Sequence, residues 1–292
     1  MFTPSRNRSL CRLEQLERRH LLAGFVDISV TSNGDLIVLA DDFDNSFSIQ
    51  ADSRGGNGSY RIVPDRTTSI NKLPQGKPLF VNGVSGAIRV ELKGGNDELR
   101  IVGNAKTTLS GLNVHLGTGQ DDVGISSLKV EGPVSVRAGG AGKANFQDLS
   151  VTKWIDKSTP LLSVSALGAG SEVNARQVFV DGAVRIETGD DAAADGTAGL
   201  PNRTRIVDSH FGELAIESQG EASDDLLLLS SMFDGAVKVL LFGGNDRLRV
   251  VDSVFSDEVL FDGGSGDDLL LLRSSQFAFE PFLLSWESNR RR

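Results

Sequence analysis

Five aspartates recur in one setting along this chain. Asp224, Asp246 and Asp268 lie 22 residues apart, and each heads an alternating run: Leu226-x-Leu228, Leu248-x-Val250 and Leu270-x-Leu272. Asp97 and Asp121, 24 apart, head the earlier copies Leu99-x-Ile101 and Val123-x-Ile125. If each period brings the chain back beside itself, these carboxylates become neighbours about 4.8 Å apart. Their repulsion then costs about 1 kcal/mol in water, or about 3.5 kcal/mol at an effective dielectric of 20. A hard cation sharing the oxygens removes that cost, which makes Asp97, Asp121, Asp224, Asp246 and Asp268 candidate calcium ligands. The plain alternative is that each Asp caps its own turn through backbone N–H groups and points into water.

Two resemblances attach to these turns. Gly263-Gly264-Ser265-Gly266-Asp267-Asp268-Leu269-Leu270-Leu271 is similar to GGxGxDxUx, the calcium nonapeptide of RTX repeats. Gly95-Asn96-Asp97, Gly119-Gln120-Asp121 and Gly244-Asn245-Asp246 resemble its second half. The RTX family binds calcium with this nonapeptide in tandem, whereas here it comes once per period. Gln120-Asp121-Asp122 resembles the Gln-Asp-Asp of polygalacturonases, where paired carboxylates act as acid and base. The Asn-Thr-Asp, Gly-His-Gly and Arg-Ile-Lys signatures of that family are absent, and His20, His115 and His210 are scattered. A repeat turn accounts for the pair without catalysis. No catalytic residue is assigned.

The elements that must hold these turns follow from the period. Ser-x-Phe occurs at Ser209-His210-Phe211, Ser231-Met232-Phe233, Ser253-Val254-Phe255 and Ser275-Gln276-Phe277, with every Phe 22 residues after the last. A third column precedes the aspartates: Ile88-x-Val90, Leu112-x-Val114, Val237-x-Val239 and Val259-x-Phe261. Each period is thus an alternating strand, a Gly/Asp turn, a second alternating strand and a short Ser-x-Phe strand. Such a unit is too short for a β-α-β crossover or a propeller blade. It fits one rung of a right-handed parallel β-helix, an all-β solenoid with rungs of about 22 residues. Phe211, Phe233, Phe255 and Phe277 should then stack inside, and Phe179 should join their column.

The organisation divides into an N-terminal segment 1–24, a hairpin cap and loop 25–63, a helix body 79–277 and a C-terminal cap with basic tail 278–292. The cap reads as Val26-x-Ile28-x-Val30, a type I′ turn at Asn33-Gly34, and Leu36-x-Val38. The stretch Asp52–Ser59 reads as a loop, and Phe279, Phe282, Leu283, Leu284 and Trp286 are expected to close the far end. Two insertions, Lys153–Pro160 and Gly189–Pro201, break the rhythm.

Charge bounds the partners. The chain carries −9; the ends contribute +3 (1–24) and +2 (287–292), leaving −14 on the body. That disfavours nucleic acid, whose backbone is met by Lys and Arg. One cysteine, Cys11, permits neither an internal disulfide nor a CxxC metal site. No apolar stretch reaches the roughly 18 residues of a membrane span. Residues 12–23, Arg-Leu-Glu-Gln-Leu-Glu-Arg-Arg-His-Leu-Leu-Ala, resemble the LEPR-XLL motif of exported proteins in some environmental bacteria, with Arg18 where that family carries Pro. The resemblance implies export or surface sorting. The expectation is a secreted or surface β-helix with a structural or adhesive role toward extracellular polysaccharide or cell-envelope components. A β-helix polysaccharide lyase or hydrolase and a calcium-stabilised module stay open beside it.

Overall fold

A computed structural model describes residues 24–56, 58–138, 142–152, 161–168, 170–189 and 200–291, of which 289–291 are described as backbone only. The N-terminal segment through residue 23 and the insertion residues 153–160 and 190–199 lie outside the described residues.

The described chain is all β, in one hydrogen-bonded network of 28 strands. Alternation of apolar and polar residues makes each run a strand with one buried side, and the turns return the chain to pair with the rung before it. Three parallel sheets result. The first stacks Leu36–Ala40, Ile88–Glu91, Leu112–His115, Val134–Ala138, Leu162–Ala166, 183–189, 213–219, Val237–Leu240, Val259–Asp262 and Phe282–Leu284. The second stacks Ser46–Ala51, Glu98–Val102, 122–126, 143–147, Glu172–Arg176, Arg203–Val207, Asp225–Leu229, Arg247–Val251, Leu269–Arg273 and Ser288–Arg291. The third is narrow and runs from Thr108–Leu109 to Gln276–Phe277. This is the parallel β-helix that the period predicts. Insertions lengthen two rungs: Val134 pairs with Leu162 and Val184 with Leu214, 28 and 30 residues on.

Inward side chains from successive rungs form ladders. Phe233 and Phe255 stack with ring centres 4.9 Å apart, Phe255 and Phe277 at 4.7 Å, and Phe211 lies tilted 6.0 Å from Phe233. Phe179 does not join them. It pairs with His210, so Val180 occupies the column beside Phe211 and Phe179 faces outward. There it meets the His210 ring edge-on at 5.2 Å, and His210 Nε2 lies 2.7 Å from Asp234 Oδ2.

The N-terminal end is closed by strands that run the other way. Gly24–Val30 covers the edge of Leu36–Ala40, and Tyr60–Pro64 covers Ser46–Ala51, both antiparallel. Residues 25–63 therefore include the first rung as well as its cover. The connecting turn is not type I′: Gly34 has φ +80° but Asn33 is not in the left-handed region. Thr31 N–H donates to Asp35 O, giving a three-residue loop closed by the left-handed glycine. The Asp52–Ser59 stretch links two antiparallel strands. At the other end Phe282–Leu284 and Ser288–Arg291 add a further rung. Leu283 and Trp286 pack on the core, while Phe279, Phe282 and Leu284 stay exposed.

Candidate functional site

The five aspartates stand where the first sheet turns into the second. Glycine sets this turn. A Cβ at Gly266, φ +138°, would lie 1.6 Å from Gly244 O, and one at Gly119, φ +141°, 1.7 Å from Gly95 O. Successive turns therefore nest backbone on backbone, and the following Asp points inward. Asp97, Asp121, Asp224, Asp246 and Asp268 are 1–6% exposed.

Each carboxylate caps the rung before its own. Asn45 N–H donates to Asp97 Oδ1 at 2.8 Å, Asp97 N–H to Asp121 Oδ1 at 3.0 Å, and Asp224 N–H to Asp246 Oδ1 at 2.8 Å. Asp246 N–H donates to Asp268 Oδ1 at 2.8 Å and Asp268 N–H to Glu287 Oε2 at 2.7 Å. The expected cap of the residue's own turn, pointing into water, is thus corrected on both counts. Asn202 fills the gap: its Oδ1 accepts from Ser171 N–H and its Nδ2 donates to Asp224 Oδ1. Asn45, Asn202 and Glu287 went unpredicted, although Asn45 and Asn202 each precede an alternating strand as the aspartates do.

The ladder lives under strong desolvation. Burial pushes Asp246 up to about 8, with the neighbouring Asp224 and Asp268 carboxylates adding to it against the hydrogen bond from Asp224 N–H. Burial likewise raises Asp97 to about 7 and Asp224 to about 6, and it raises Asp268. The Oδ2 atoms of Asp97, Asp246 and Asp268 are buried without a hydrogen-bond partner. A carboxyl so placed favours its neutral acid form. The carboxylates form a line along the axis, with one oxygen of Asp97, Asp121, Asp246 and Asp268 committed to backbone and one of Asp224 to the Asn202 amide. Among the described residues no group of three or more His, Cys, Asp or Glu side chains is arranged to hold a metal ion.

A serine ladder mirrors this one at the turn into the third sheet. Ser209 and Ser231 N–H donate to the Oγ of Ser231 and Ser253, each 22 residues on, while each serine hydroxyl donates to the carbonyl two residues before it. The residue ahead of each serine, Asp208, Ser230, Asp252 or Ser274, is left-handed with φ near +50°.

Gln120-Asp121-Asp122 is split by the strand. Asp121 enters the buried ladder, and Asp122, one residue on, faces out from the second sheet. Adjacent strand residues point to opposite faces, so the two do not form an acid–base pair. His115 faces out from the first sheet and His210 from the third.

The outer face of the second sheet carries a linked set of polar side chains. Gly124 sits in register between Arg100 and Asn145 and leaves a gap in their column. The gap floors an open groove of about 460 Å³, lined by the polar Arg100, Asp122, Ser126, Asn145, Gln147, Asn174 and Arg176 and by the apolar Val102, Ile125 and Phe146. Asn145 Nδ2 donates to Asp122 Oδ1 at 3.2 Å, and Asn174 Nδ2 to Asn145 Oδ1 at 2.9 Å and Glu172 Oε1 at 3.0 Å. Arg205 pairs with Glu172 at 3.3 Å, and Arg100 with Glu98 at 2.7 Å. These bonds orient amides and guanidinium groups across five successive rungs. Sequence reasoning missed the groove, whose only sign is one glycine inside a strand, Gly124.

No family model, curated protein or solved structure matches the chain. No helix among the described residues is long and apolar enough to cross a membrane.

Proposed function

We propose that this chain is an exported, non-enzymatic β-helix with a structural or adhesive role at a bacterial surface or in the extracellular space, and that it lays its second sheet against a polysaccharide or cell-envelope polymer. The observation that carries the reading is the groove over Gly124. It is open and flanked by pre-oriented amides, with the apolar Val102, Ile125 and Phe146 also lining it, and it lies on the outer face of the second sheet. Hydroxyl-rich chains are met by such groups, which donate and accept hydrogen bonds without being consumed. The regular ladders support a scaffold, since among the described residues they repeat from rung to rung instead of gathering acid, base and nucleophile at one point. The likeness of residues 12–23 to the LEPR-XLL motif supports export.

Affinity electrophoresis of the full chain through gels containing soluble polysaccharides tests this. At least one polymer should retard it. Gly124→Gln fills the groove, and because a Cβ there meets nothing closer than Arg100 Cγ at 3.8 Å, the fold should tolerate it. That variant should run unretarded with an unchanged melting temperature. Retardation equal to that of the wild type would remove the groove from the reading.

A further inference from the structure

We infer that the outer face of the second sheet is a site for an anionic polysaccharide, a chain bearing carboxylate or sulfate groups, lying along the helix axis. The inference rests on reading that face as the adhesive surface, and it adds the chemical class of the ligand.

Charge is segregated by sheet. The second-sheet strands from residue 46 to 273 carry eight Arg or Lys against four Asp or Glu, a balance of +4. The first-sheet strands carry four against five, a balance of −1, and the chain as a whole carries −9. One face of an acidic protein is therefore basic. Exposed guanidinium groups line that face, Arg100 and Arg176 at the groove and Arg203, Arg247 and Arg273 beyond it. Arg203, Arg247 and Arg273 form no ion pair among the described residues. Arg100 to Arg176 alone spans three rungs, roughly 14 Å at the spacing of parallel strands. Guanidinium forks match carboxylate and sulfate oxygens two at a time.

Two further features favour a sugar chain over other polyanions. Between the arginines runs the half-buried apolar column Val207, Leu229 and Val251, which suits the C–H faces of sugar rings. No outward residue of this face from 46 to 273 is aromatic, so it has no platform for stacking nucleobases.

The test uses the full chain and three probes: polygalacturonate, the same polymer carboxyl-reduced to its neutral form, and single-stranded DNA, each titrated at low and at about 0.15 M salt. Polygalacturonate should bind at least about tenfold more tightly than the reduced polymer, the loss expected for even one charge-assisted hydrogen bond. Its affinity should fall with salt. R203Q/R247Q/R273Q should weaken it by at least about tenfold and leave the reduced polymer unaffected, with circular dichroism confirming the fold. R137Q, on the first sheet, should change nothing. Equal binding of the acidic and neutral polymers would overturn the ligand class and leave the adhesive reading standing. DNA binding as tight as polygalacturonate would overturn it in favour of a general polyanion surface. Failure of both sugar polymers to bind would sink this inference, and the adhesive reading falls with it only if no polysaccharide gel retards the chain.

Discussion

Replacing Asp246 by Asn should make the protein more stable at neutral pH, although it removes a carboxylate that accepts a backbone hydrogen bond. Asp246 Oδ1 receives Asp224 N–H at 2.8 Å, and an amide oxygen accepts that bond equally well. The carboxyl itself is the strained element. Burial and the flanking carboxylates lift it from 3.8 to about 8 in the folded chain. The folded state therefore binds the proton more tightly than the unfolded one between these limits. Its contribution to stability is complete below pH 4 and is lost as the pH rises toward 8. At 1.36 kcal/mol per unit, ionisation of the unfolded chain removes roughly 4 kcal/mol between pH 4 and pH 7. Asp97 and Asp224, raised to about 7 and about 6, add losses of the same sign. D246N does not titrate, so its urea midpoint should exceed that of the wild type at pH 7 and the two should converge near pH 4. D246L also does not titrate but removes the acceptor and strands Asp224 N–H, so it should lie about 1–3 kcal/mol below D246N at every pH. The measurement is a set of urea melts at pH 4, 5.5, 7 and 8.5. If D246N were as destabilised as D246L at pH 7, or kept the wild-type pH dependence, the protonated ladder would be wrong.

Other outcomes follow from the same geometry. Gly266→Ala should cost at least about 1–3 kcal/mol, since its Cβ would meet Gly244 O at 1.6 Å in a left-handed conformation, whereas Gly124→Ala should lie within about 0.5 kcal/mol of wild type; paired urea melts compare them. Phe255→Ala removes the ring stacked between Phe233 and Phe277 and should cost about 3–5 kcal/mol, with Phe255→Leu losing less. Millimolar calcium should leave the melting temperature unchanged, because the carboxylates stand in a line bonded to backbone; a clear rise would restore them as metal ligands.

The sequence alone determined the solenoid, because equal steps along a chain become vertical neighbours once strands pair in register. The spacing of Phe211, Phe233, Phe255 and Phe277 contained the ladder before any coordinate did. Residue type without register misled at Phe179: pairing with His210 and Phe211 decides that Val180 faces in, and no property of the phenyl ring reveals that. The direction of the aspartates was hidden for a similar reason. A turn residue faces in or out according to backbone dihedrals, and the nested glycines that steer these carboxylates inward act through contacts one rung, not one residue, away. The groove and the basic face belong to the tertiary structure entirely. Gly124, Arg100 and Asn145 are separated by more than twenty residues each, and only parallel pairing sets a missing side chain between two long ones.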